Sequence, residues 1–474
     1  MGKPFIKLVQ SPHAYYFFDV NQNQVVRIPE QTYHILEEML SGKDTKEDEN
    51  IRRLKRIGFL SDRKVCEIRH PDTDMLQDIL GTKLNSLVLQ ITQSCNLRCR
   101  YCIYSEHSNQ LQRSHSMKRM DLETAKKAVD FFAVHSCETL LPTVAFYGGE
   151  PLLEFENIKR IITYAKEKLC GQKIRFTFTT NGVLLTPEIA DYAYENEIYF
   201  MLSLDGPASV HDKNRKDAGG NGTYEVIQKN MSYIKERYPE YYKKLAMNTV
   251  LDTGQDYEKI VSMYQNPLWS GMSGYYSSYI EEMEEMKEMK EMDEVKHPVI
   301  TDDFRKQEAY HRFLAYAEYL KTGAYTGKDA VAAQDVRELG KLKDETFEKH
   351  QGLPERGAPS GPCVPGQLKL FVNADGDFYP CERVSELSEC MKIGNVVDGF
   401  DASAVEQMLN IATLTEDNCR TCWAFRLCGL CVRQADGGTY LSKEARLAGC
   451  KKARIRAEQK IRDYIMVKEC GRGL

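Results

Sequence analysis

Cysteines stand at positions 95, 99 and 102, in the run TQSCNLRCRYC that begins at Thr92. The spacing C-x3-C-x2-C lets three thiolates converge from one short loop, hold a metal cluster, and leave one metal position without a protein ligand. That open position is where chemistry is expected. The alternative is a zinc knuckle, although structural zinc is usually closed by four protein ligands and prefers paired C-x2-C spacings. A second group stands far along the chain: Cys363 and Cys381 around Gly376 as C-x12-G-x4-C, then Cys419-x2-Cys422-x5-Cys428-x2-Cys431, then Cys450. A pair of zinc sites is the alternative here too. Cys66, Cys137, Cys170 and Cys470 have no ligand spacing and read as small packing groups.

The chain has 15 cysteines, an odd number that argues against a closed disulfide framework and for thiolates on metal. Its N-terminal residues are charged and broken by Pro4, no secretory apolar core follows, and no apolar run approaches a membrane span. A cytoplasmic protein without a membrane partner is expected. With 64 basic and 69 acidic residues the net charge is -5, so no bulk attraction to nucleic acid is expected either.

The elements that would position these cysteines fall into four stretches. Residues 1–75 open with three alternating runs, at 5–9, 15–18 and 25–28, and continue with helical periods around Leu36 and Leu54. This predicts a small winged-helix-like module. No basic stripe marks it as a DNA reader, and a sheet edge beside a helix suits an extended peptide. Residues 82–325 alternate short apolar runs, at 87–91, 143–147, 174–179, 199–204, 245–251 and 274–280, with amphipathic segments. That predicts an α/β fold, a parallel partial (β/α)6 barrel of TIM type, with chemistry at the C-terminal ends of its strands. The three-cysteine loop, Gly148-Gly149-Glu150-Pro151, Thr180-Asn181-Gly182 and Ser203-Leu204-Asp205-Gly206 each follow one of the first four strands. Residues 281–296 repeat Glu, Lys and Met with Met283, Met286, Met289 and Met292 every third position, and read as an exposed inserted helix. Residues 326–362 read as a bridge to the cysteine-dense domain, 363–474.

These motifs, in this order, resemble the radical SAM enzymes. The family signature carries an aromatic before its last cysteine, here Tyr101. The resemblance implies a 4Fe-4S cluster on Cys95, Cys99 and Cys102 whose free iron chelates S-adenosylmethionine (AdoMet), and a 5'-deoxyadenosyl radical that abstracts hydrogen. It implies that Gly148, Gly149 and Glu150 receive the methionyl ammonium, glycines permitting close approach and the carboxylate offsetting the cation. Ser203 and Asn181 match positions used for the carboxylate and ribose, and Arg215 is a candidate carboxylate partner.

The distal cysteines are similar to the SPASM domain, which carries two auxiliary 4Fe-4S clusters in peptide-modifying radical SAM enzymes. Carried over by order, Cys419, Cys422, Cys428 and Cys450 ligate the outer cluster, and Cys363, Cys381 and Cys431 the inner. The last pair is one residue closer than the family's usual C-x3-C, and the inner set is one thiolate short. Either Cys390 or a substrate thiolate completes it. An open inner site implies a thioether-forming maturase of ranthipeptide or sactipeptide type, acting on a leader-bearing precursor peptide, with the N-terminal module as its RiPP recognition element. An external electron donor such as flavodoxin or ferredoxin is implied. Glu382 stands where related sulfatase-modifying enzymes carry an acidic base. Carbon-carbon crosslinking, simple residue oxidation and a non-catalytic iron-sulfur carrier are the competing readings.

Overall fold

The computed structural model describes residues 2–44, 46–102, 104, 115–280, 300–327, 329–341, 352–359 and 363–470. The methionine-rich segment 281–296 lies outside them.

The N-terminal alternation forms three antiparallel strands, β1 (Ile6–Gln10), β2 (Tyr15–Asp19) and β3 (Gln24–Ile28), followed by helices Glu30–Ser41 and Glu49–Arg56. Alternation gives this sheet two apolar faces. Ile6, Phe17 and Ile28 meet Leu36 and Ile51 of the module's own helices. Val9, Tyr16 and Phe18 meet Ala457, Ile461 and Ile465 of the long C-terminal helix Cys450–Cys470. The module is therefore clamped against the far end of the chain. A short strand, β4 (Glu67–Ile68), leads on to the barrel.

All six expected barrel strands form, within one residue of their expected limits at either end: β5 (Ser86–Thr92), β6 (Thr143–Gly148), β7 (Arg175–Thr180), β8 (Ile198–Ser203), β9 (Ala246–Leu251) and β10 (Gly274–Tyr279). They pair in parallel in sequence order. Along β6 to β8 the buried Val144, Phe146, Phe176, Phe178, Phe200 and Leu202 alternate with part-exposed residues that face the lumen.

A partial barrel has two open edges, each a row of unpaired backbone groups that must be covered. The stretch expected as a bridge contains an amphipathic helix, Ala330–Lys341, that covers β10; Gln334 Oε1 accepts from Ser277 N at 3.0 Å. Past β11 (Arg356–Gly357), which pairs with β4, the β5 edge is taken by the cysteine-dense domain. Its first strand, β12 (Leu370–Val372), pairs in parallel with β5, and β13 (Asp377–Tyr379), β14 (Gly394–Asn395) and β15 (Gly399–Phe400) continue as antiparallel pairs. The result is one ten-stranded sheet in which the two domains share their edge. Gly376 makes the β12–β13 turn at φ +89, with its N–H donating to Asn373 O.

Candidate functional site

The loops after β5, β6, β7 and β8 meet at one rim of the barrel. Gly149 N donates to Thr92 O at 2.8 Å and Glu150 N to Ser94 O at 2.9 Å, so the cysteine loop crosses directly over the two glycines. A Cβ on Gly148 would lie 2.1 Å from Thr92 O and one on Gly149 2.2 Å from Ser94 O. These glycines are thus required for contact with the protein's own cysteine loop, a reason the sequence alone does not disclose. On the other side the loop is pinned by Arg98 N to Lys216 O at 2.7 Å and Arg100 N to Asn214 O at 2.9 Å.

Cys95, Cys99 and Cys102 each lie within electrostatic reach of the other two. Burial pushes the Cys95 thiol up to about 12, and the nearby Glu150 and the other two cysteines add to it. Burial pushes Cys99 up to about 11, against the adjacent Arg215 guanidinium. Three half-buried thiols gathered in one loop, with proton loss from Cys95 and Cys99 opposed by burial and by their neighbours, are a donor set that a cationic group relieves, because metal ligation deprotonates a thiol outright. Among the described residues no three Cys, His, Asp or Glu side chains converge as ligands of a single ion.

Glu150 is 1% exposed. Its Oε1 accepts from Thr180 Oγ1 at 2.8 Å and Leu152 N at 3.1 Å, and Oε2 from Asn181 N at 2.8 Å. Burial nevertheless pushes its carboxyl up to about 7. A cation beside it would restore its charge. The Asn181 amide donates to Asn96 Oδ1 at 2.8 Å and accepts from Val183 N at 3.0 Å, which ties the β7 loop to the cysteine loop. Ser203 ends β8 on the lumen side, next to Asn248.

Arg215 is buried, and its Nε donates to Asp205 Oδ2 at 2.9 Å. Tyr101 OH also donates to Asp205 Oδ2, and the guanidinium lies 5.4 Å from the Tyr101 ring. Asp205 Oδ1 accepts from Val250 N at 3.1 Å. Arg215 thus has an internal carboxylate on one side and Cys99 on the other. Asp205 was not singled out as a site residue by sequence, though it stands in the motif after β8. The buried His211 completes this layer; desolvation and the nearby Arg215 push it down to about 4, so it is neutral at physiological pH.

Below the rim lies a cavity of about 630 Å³, lined among others by Tyr147, Thr179, Tyr199, Met201, Tyr276 and Glu382. Glu382 pairs with Lys369, which also lines it. Burial works against the Glu382 charge, but the Lys369 ammonium outweighs it and holds the carboxyl below the usual glutamate range.

The distal cysteines fall into two neighbourhoods. Burial raises Cys363, with Cys431 adding to it, and burial raises Cys381, with Glu382 and Cys363 adding to it. Burial raises Cys422, with Cys428 and Cys419 adding to it, and burial raises Cys428, with Cys419 and Cys450 adding to it. Cys390 turns elsewhere, its thiol donating to Asp436 Oδ1 at 3.6 Å.

Residues 89–266 match the model of the Radical SAM superfamily. That stretch, from β5 to past β9, is a radical SAM domain, and the chain is similar to radical SAM enzymes. It is 25% identical over 363 residues, 74% of this chain and 90% of the other, to the cysteine-type anaerobic sulfatase-maturating enzyme of Clostridium perfringens (strain 13 / Type A). It is 29% identical to the enzyme of the same description from Clostridium novyi over 186 residues, 38% of this chain and 48% of that protein. The radical SAM cyclopropyl synthase TigE of Paramaledivibacter caminithermalis is 26% identical over 180 residues, 36% of each chain. The solved structure of native anSMEcpe with bound AdoMet superposes on 81% of this chain and 99% of that one, with 19% identity and a TM-score of 0.57. The superposition shows a shared partial-barrel fold, and a 4Fe-4S cluster with AdoMet is what the Radical SAM superfamily implies. No helix among the described residues is long and apolar enough to cross a membrane.

Proposed function

We propose that this chain is a radical SAM enzyme and matures a leader-bearing, cysteine-rich peptide by joining cysteine sulfur to carbon. Its cofactors are AdoMet and three 4Fe-4S clusters, and an external donor such as flavodoxin or ferredoxin supplies electrons. When bound, the first cluster and AdoMet supply a 5'-deoxyadenosyl radical that takes a hydrogen atom from the peptide.

The chain's own residues divide the remaining work. Cys95, Cys99 and Cys102 hold the radical-generating cluster. Glu150, fixed by three donors, faces the methionyl ammonium, while Tyr101, Asn181, Ser203 and Arg215 shape the remainder of the AdoMet pocket. The tyrosine-lined lumen receives the peptide side chain and keeps water from the radical. Cys419, Cys422, Cys428 and Cys450 hold the outer cluster, and Cys363, Cys381 and Cys431 the inner one. The single observation that supports the thioether reading is the contact of Cys390 with Asp436, which fits an inner set of three thiolates with a fourth place for a substrate thiolate.

The N-terminal module captures the leader. Among the described residues its β3 pairs only with β2, so its outer edge offers backbone groups to an added strand. A second reading, residue oxidation or carbon-carbon crosslinking, draws on the match to sulfatase-maturating enzymes over 74% of this chain. That reading uses Glu382 as a base, and its ion pair with Lys369 weakens it in that role.

The experiment is an anaerobic turnover with a cysteine-rich precursor encoded nearby, deuterated at carbon. Deuterium in the 5'-deoxyadenosine together with fewer free thiols in the peptide supports thioether formation. Deuterium transfer with all thiols retained moves the assignment to the second reading, and no transfer defeats both.

A further inference from the structure

Arg446 is 1% exposed and lies in the helix Lys443–Ala448, which leads into Cys450. Taking a guanidinium out of water is costly unless an opposite charge and hydrogen bonds replace its hydration. Here its Nε donates to Thr415 Oγ1 at 3.3 Å, while Nη1 has no partner among the described residues and no carboxylate among them pairs with it. A buried cation without an anion is a defect, or half of a site.

The missing half is indicated by its neighbours. Thr415, itself 1% exposed, places Oγ1 3.3 Å from Cys419 Sγ and 3.4 Å from Ala412 O. Since that oxygen already accepts from Arg446, its single proton goes either to Ala412 O or to the sulfur, and the sulfur is the stronger acceptor once the thiol is ionised. Cys450 Sγ lies 3.8 Å from Arg446 O, one helical turn on. Cys428 lies within electrostatic reach of the same guanidinium. The Arg446 side chain therefore reaches toward two of the four cysteines 419, 422, 428 and 450: Cys419 through Thr415, and Cys428.

We propose that Arg446, acting directly and through the Thr415 hydroxyl, is the built-in counter-charge of an anionic iron-sulfur group on Cys419, Cys422, Cys428 and Cys450, and sets its reduction potential. This rests on the outer-cluster assignment under the proposed function. Four thiolates make such a group anionic, and one electron from the external donor adds one further negative charge with no proton taken up. A fixed positive charge and a hydrogen bond to sulfur both favour the more negative state, so both raise the potential. Arg446 and Thr415 are positioning residues that act on electron flow without touching the substrate.

The test is a reductive titration followed by electron paramagnetic resonance. It uses the full chain, anaerobically reconstituted, with Cys95, Cys99 and Cys102 replaced by alanine so that only the distal groups give signals. Arg446→Met keeps bulk and removes charge, Arg446→Lys keeps charge, and Thr415→Val removes the hydroxyl. With iron and sulfide content equal to the parent, Arg446→Met moves the midpoint of one of two signals to more negative potential. Thr415→Val moves the same signal by a smaller amount, and Arg446→Lys stays near the parent. Two signals with both midpoints unmoved in Arg446→Met and Thr415→Val overturn the role of Arg446 and leave the cluster assignment standing. If Arg446→Met fails to take up iron, Thr415→Val decides by the same criterion. A parent chain with no second signal removes the outer-cluster assignment, and the inference with it.

Discussion

Glu150 is a carboxyl with three donors that still ends near neutrality, because burial outweighs them. The sign of the consequence is fixed: its folded value stands above the ordinary 4.5. Without ligand, the folded chain loses stability as pH rises from about 4.5 to about 7. The charged form that an ammonium needs is complete only above that range. AdoMet affinity, measured by isothermal titration, should therefore rise with pH through neutrality and level off. Glu150→Gln should weaken binding ~10- to 100-fold at pH 8 and abolish that dependence, since a hydrogen bond to a charged group contributes about 1.5–3 kcal/mol. A pH dependence retained in Glu150→Gln would assign it to another group. At this scale the cysteine loop and Glu150 were legible because their spacing is local. The layer of Tyr101, Asp205 and Arg215 was not, since it joins loops that only the barrel brings together.

At the scale of elements, the glycines after β6 and the cysteine loop after β5 act as one unit. Gly149→Ala would set a methyl 2.2 Å from the Ser94 carbonyl, and backbone on both sides leaves no flexible group to yield. Such overpacking typically costs 1–3 kcal/mol or somewhat more. The expected outcome is a displaced cysteine loop with at least a several-fold loss of iron at the first site, read by iron content in a chain whose distal cysteines are replaced. Full iron loading in Gly149→Ala would contradict the close crossing. The six barrel strands were legible because buried and lumen-facing residues alternate at period two. Their edges were not: β5 is closed by β12 and β10 by the helix Ala330–Lys341, and no local pattern announces a partner that distant.

Over the whole molecule, the two ends of the chain meet. The module's sheet rests on the C-terminal helix through Phe18 and Ile461, and Arg426 Nε donates to Val20 O at 2.7 Å from the loop between Cys422 and Cys428. Ile461→Ala should cost about 2–5 kcal/mol of that contact. Limited proteolysis should then cut faster in the connecting stretch 61–66, while AdoMet affinity stays at the parent value. Faster cutting throughout the barrel would mean the helix supports the whole fold instead. Composition indicated a chain with little net charge, and domain order was readable from motif order. The shared ten-stranded sheet was not, because it depends on register between β5 and β12.

The central claim, sulfur-to-carbon joining on a peptide, is tested most directly by the mass of the precursor after anaerobic turnover, recorded before and after thiol alkylation. Each link should remove two hydrogens and one alkylatable thiol together. An unchanged mass, or two hydrogens lost with every thiol still alkylated, would contradict it.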